Sequence, residues 1–101
     1  MSTVKVDGDQ IIVRPEQNVV SPMIKNLQEE LQQVITAKPA EVVFDLAEVG
    51  MIDSTGLGLL VATFNSQKQH GGKIKVINAA GHVLDVLLTT QLNRLFEIVK
   101  A

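Results

Sequence analysis

A chain of 101 residues, 46% hydrophobic and 20% charged, has the size and composition of one folded domain rather than of a disordered segment. Nine basic against eleven acidic residues give a formal net charge of −2, and the three aromatics are all Phe, so neither a phosphate-neutralising nor a base-stacking nucleic-acid surface is expected. The absence of cysteine excludes disulfides, thiolate metal sites and a cysteine nucleophile, and it suits a reducing compartment.

The first residues, Met1-Ser2-Thr3-Val4-Lys5-Val6-Asp7, contain no apolar signal core. Val4-Lys5-Val6 and Ile11-Ile12-Val13 are short β-type runs around Asp7-Gly8-Asp9-Gln10. Asp-Gly between two such runs predicts a hairpin, since glycine takes the positive φ of the turn freely. Pro15 should then end the ladder, because it has no N–H to give.

Ser21-Pro22 pairs an N-cap residue with proline at the first helical position. Ile24, Leu27, Leu31, Val34 and Ile35 follow as an apolar stripe, and Lys38-Pro39 should end that helix. Glu41-Val42-Val43-Phe44-Asp45-Leu46 is nearly continuous apolar, the pattern of a strand buried on both faces. After a loop, Leu57, Leu60, Val61 and Phe64 predict a second helix with those residues inward, closing near Gln69-His70 at Gly71-Gly72. Lys73-Ile74-Lys75-Val76 alternates as a half-exposed strand. Residues 82–90 should form a third helix with Val83, Val86 and Leu87 inward, and Leu95-Phe96-Glu97-Ile98-Val99 a last strand.

The order ββαβαβαβ implies an α/β fold: a mixed, mainly parallel sheet of about five strands, with the hairpin at one edge and helices packed on it. The longest apolar stretches, residues 57–64 and 83–88, are too short to cross a bilayer. One soluble, cytoplasmic domain spanning residues 1–101, without membrane insertion, is the expectation.

The informative segment is Asp45-Leu46 followed by Ile52-Asp53-Ser54-Thr55-Gly56-Leu57-Gly58. It places a helix start at the carboxyl end of a parallel strand, where α/β sheets hold their sites. Unpaired N–H groups and the positive dipole end there favour an anion, and a phosphate on Ser54 would fit, although Asp53 beside it would repel that charge. Gly56 and Gly58 each cost a helix about 1 kcal/mol against alanine, which suggests that something approaches the backbone closely. The same residues also fit a plain helix cap on a helix packed tightly against its sheet, and residue chemistry alone leaves both readings open.

Enzyme chemistry has little support. The hydrolase elbow needs glycine two residues before the serine, and that position is Ile52. His70 and His82 lack a chelating spacing, and no phosphate-binding loop of the glycine-lysine type occurs. No catalytic residue, cofactor or metal is expected.

The stretch Asp45 to Gly58, with Gly71-Gly72 before a strand, resembles the STAS domain of bacterial anti-sigma factor antagonists. The resemblance implies the STAS fold over nearly the whole chain. It also implies a phosphoacceptor role for Ser54, with Asp53, Thr55 and Gly56 completing the motif. The implied function is partner switching: the unmodified antagonist binds an anti-sigma factor that is also a serine kinase and so frees a sigma factor. Phosphorylation breaks the complex, and a serine phosphatase restores it. Where family members carry a glycine-containing stretch with an aspartate before the first helix, this chain reads Arg14-Pro15-Glu16-Gln17-Asn18. The expected partner surface is therefore Glu16, Gln17 and Asn18 with Asp53, Ser54, Thr55, Gly56 and Leu57. The same fold serves lipid-transport accessory subunits and stress-signalling scaffolds, so an unphosphorylated subunit docked on a larger complex, such as a transport ATPase, is the alternative.

Overall fold

Strand β1 (Ser2–Asp7) folds back on β2 (Gln10–Pro15) through a two-residue loop whose first member, Gly8, lies at φ +62°. That is where a II′ hairpin loop takes glycine. Pro15 is the last residue of β2, opposite Ser2, as its missing N–H dictates. The computed structural model describes residues 2–101. After the hairpin come α1 (Ser21–Ile35), β3 (Glu41–Asp45), α2 (Ser54–Lys68), β4 (Lys73–Ala79), α3 (Gly81–Thr89), one 3-10 turn (Leu92–Arg94) and β5 (Glu97–Lys100).

The sheet order is β1-β2-β3-β4-β5, antiparallel in the hairpin and parallel from β2 onward. This is the mixed α/β arrangement that the pattern of strands and helices implies. Each crossover steps to the next strand in one direction, so right-handed connections carry the helices to one face. Burial follows that geometry. The registered rows Ile11–Val42–Ile74 and Val13–Phe44–Val76 are buried, and Leu27 and Leu31 of α1, Leu59 and Leu60 of α2, and Val83 and Leu87 of α3 join them in the core. On the other face the row is Ile12–Val43–Lys75, of which Val43 is 3% exposed. The central strand is thus covered on both sides, while Lys75 leans toward Glu97 at 3.9 Å.

Three expectations change. The most buried face of α2 is Gly56, Leu59, Leu60, Thr63 and Gln67, whereas Leu57, Val61 and Phe64 are half-buried. Apolar residues run nearly all round this helix, and it packs against both α1 and β4, so periodicity alone could not choose the face. Its two polar core residues donate to backbone carbonyls: Thr63 Oγ1 to Leu59 O at 2.8 Å, and Gln67 Nε2 to Pro39 O and Lys73 O at 3.1 Å each, while the buried Gln67 Oε1 has no partner among the described residues. The His70 ring also meets Pro39 O, at 3.1 Å, which gives it a structural place at the helix end.

The last strand begins at Glu97 rather than Leu95, because Leu92 and Phe96 turn inward around the 3-10 turn and Phe96 meets the Phe64 ring at 6.0 Å. The cap of α1 also differs. Val20 is the N-cap residue, Ser21 is already helical, and no side chain of the N-cap bonds the helix start.

Candidate functional site

The chain leaving β2 runs beside the chain entering α2. Val19 and Ile52 form a parallel bridge, in which Val19 N–H donates to Met51 O at 3.0 Å and Asp53 N–H to Val19 O at 3.3 Å. Buried Val19, Leu46, Val49 and Ile52 anchor both segments. The starts of α1 and α2 consequently lie together at the carboxyl end of the parallel strands.

Asp53 occupies the junction. As N-cap residue of α2 it accepts Gly56 N–H on Oδ1 at 2.8 Å. Its other oxygen, Oδ2, accepts both the N–H of Ser21 at 2.8 Å and the Ser21 hydroxyl at 3.0 Å. One carboxylate therefore serves the first turns of two helices, and it supplies the cap that Val20 cannot. The Gly56 N–H above all, and then the Ser21 N–H, hold the Asp53 pKa below its usual value of 3.8. Ser21 Oγ in turn lies 3.0 Å from Thr55 Oγ1.

Ser54 is the first residue of α2 and is exposed. Among the described residues its side chain has no hydrogen-bond partner, in contrast to its neighbours Asp53 and Thr55. The hydroxyl sits at the positive end of the helix, open to any molecule that approaches.

Of the two glycines, only Gly56 meets a close neighbour. A Cβ there would lie 2.4 Å from Val19 O and 2.8 Å from Ile52 Cγ1, so the approaching group is this chain's own backbone. Around Gly58 a Cβ would find nothing within 4 Å, and the expected close approach is absent within the domain. Leu57 is half-buried and packs on the core, while Met51, just before the motif, is 50% exposed.

In the preceding segment, Asn18 Oδ1 accepts Gly50 N–H at 3.0 Å and so belongs to the loop that enters the site. Glu16 faces the hairpin instead, accepting the Thr3 hydroxyl at 3.0 Å. Gln17 lines a shallow cleft against Met23 and Leu27 of α1. Asp45 is structural: its Oδ1 accepts Ala47 N–H at 3.1 Å and Asn78 Nδ2–H at 2.9 Å, tying the ends of β3 and β4 together. Sequence reasoning missed Ser21 and Met51. Ser21 had an adequate local explanation as a cap, and nothing in a single sequence pairs it with Asp53.

The STAS domain family model matches residues 1–101. Among solved structures, the Thermotoga maritima protein TM1081 superposes with a TM-score of 0.92 at 22% identity, covering 99% of this chain and 86% of that one. An anti-sigma factor antagonist from Mycobacterium paratuberculosis gives 0.90 at 20% identity over 100% of this chain and 86% of that one. The Bacillus cell fate determinant SpoIIAA in its phosphorylated form gives 0.78 at 12% identity, covering 100% and 92%. The structural likenesses establish a shared fold; the family match, over the full length, establishes that the chain belongs to the STAS domain family.

Proposed function

We propose that this chain is an anti-sigma factor antagonist that acts by binding, not by catalysis, and that Ser54 is its phosphate-controlled switch. The observation that carries the reading is the exposed, unengaged Ser54 hydroxyl at the first position of α2, flanked by residues whose polar groups are committed. Solved structures of anti-sigma factor antagonists share the fold, and SpoIIAA has been described in phosphorylated and unphosphorylated forms. The partner is an anti-sigma factor that is also a serine kinase. It docks over Met51 and the start of α2, with Asn18 at the border and Glu16 and Gln17 beyond it.

A phosphate on Ser54 adds about −1.5 to −2 charges. It would stand beside the Asp53 carboxylate, which stays ionised near neutral pH. At a docked interface that charge must be paired or it repels the partner, so the modification itself ends the complex. A serine phosphatase resets the switch.

The test is phosphosite mapping by mass spectrometry after incubation with an anti-sigma factor serine kinase and ATP. Phosphate is expected on Ser54 and absent from Ser54→Ala, with the variant still folded. Phosphate at another residue, or none, would remove the switch.

A further inference from the structure

Ser54 and Thr55 are adjacent hydroxyls at the same helix start, and the structure treats them differently. Ser21 Oγ donates its single proton to Asp53 Oδ2, since a carboxylate can only accept. In the 3.0 Å contact between Ser21 Oγ and Thr55 Oγ1, Thr55 must then be the donor. The protons of Ser21 and Thr55 are both spoken for, in a chain running Thr55 to Ser21 to Asp53. Ser54 stands outside it.

We infer that Ser21, on the neighbouring helix, decides which hydroxyl accepts phosphate: by holding Thr55 it leaves Ser54 as the acceptor. The inference rests on the phosphoacceptor reading above. In the transfer, Ser54 Oγ attacks the γ-phosphorus of the kinase's ATP. The Oγ–P bond forms, the bond from that phosphorus to the bridging oxygen breaks, ADP leaves, and the serine proton passes to a base on the kinase. An acceptor must present a lone pair to phosphorus and surrender its proton. Thr55 can do so only after breaking its bond to Ser21, and Ser21 only after giving up Asp53. Ser21 is thus a positioning residue, since it touches neither the phosphate nor the kinase's base.

Two measurements test this. The first needs no partner: three-bond couplings report the χ1 rotamer of Thr55 by NMR. One fixed rotamer is expected in the unaltered chain and in Ser21→Thr, which keeps a hydroxyl, and rotamer averaging in Ser21→Ala. Averaging in the unaltered chain overturns the proposal. The second is site-resolved phosphorylation by an anti-sigma factor serine kinase with ATP. Label should fall on Ser54 in the unaltered chain, and the Thr55 share should rise about fivefold in Ser21→Ala, the factor expected for one hydrogen bond. Ser21→Thr should bring it back. Label on Ser54 in all three, with no gain on Thr55, overturns the role of Ser21 and leaves the phosphoacceptor reading intact. An unaltered chain not labelled on Ser54 overturns both.

Discussion

Asp53 and Ser21 lie 32 positions apart in the sequence, yet the Asp53 carboxylate accepts both the N–H and the O–H of Ser21, at 2.8 and 3.0 Å. The contact joins the first turns of α1 and α2, and with the Val19–Ile52 bridge it makes the site a product of two separate segments. Replacing Asp53 by Ala should expose the N–H groups of Gly56 and Ser21 together and release the Ser21 hydroxyl. Chemical denaturation should show a clear loss of stability, and amide exchange should speed up at the starts of both helices. Faster exchange confined to α2 would contradict the double cap.

The same carboxylate predicts an acid response. Its pKa in the folded chain lies below the usual 3.8, so the folded state binds its proton less readily than the unfolded state does. The stabilisation from Asp53 is fully present above that usual value and is lost as pH falls through the lowered folded-state value. Urea midpoints followed from pH 7 down to about pH 2 should fall less steeply in Asp53→Asn than in the unaltered chain. Parallel acid limbs would contradict the assignment.

The two glycines of the motif should respond in opposite directions. Gly56→Ala drives a methyl against the Val19 carbonyl, which cannot move without pulling α1 and α2 apart. A loss of about 1–3 kcal/mol is expected from such overpacking. Gly58→Ala enters open space on an exposed helical position and should gain about 1 kcal/mol. Equilibrium unfolding of the two variants settles both signs, and destabilisation by Gly58→Ala would contradict the open surface there.

Gln67 predicts a cost at the far end of α2. Its side chain is fully buried and donates to the carbonyls of Pro39 and Lys73, joining the segments that lead into β3 and β4. Gln67→Leu keeps the volume but strips those carbonyls of a donor, so about 1–3 kcal/mol should be lost in denaturant unfolding. No loss would mean that the two carbonyls find other donors.

Local chemistry announced much of the fold and little of the site. Asp7-Gly8 marked the hairpin, the unbroken Val42-Val43-Phe44 run marked a strand covered on both faces, and Gly71 at φ +80° closed the turn after α2. The face of α2 was not legible, because its buried positions include two polar residues: Thr63 bonds back to Leu59 O within the helix, and Gln67 reaches the backbone of Pro39 and Lys73 outside it. Gly56 and Gly58 looked alike in sequence, yet only Gly56 lies close against another segment of the chain, at Val19. The Asp53–Ser21–Thr55 chain was hidden for the same reason: it depends on the Val19–Ile52 bridge between the segments that follow β2 and β3, which no single segment encodes. Residue chemistry suggested an anion-friendly helix start, and only the family resemblance singled out Ser54 as the proposed acceptor.

Calorimetric titration of an anti-sigma factor serine kinase into the unmodified chain and into the chain phosphorylated on Ser54 tests the switch most directly. Binding should be at least about 30-fold weaker after phosphorylation, the loss expected when an unpaired charge is forced into an interface. Equal affinity for the two forms would contradict it.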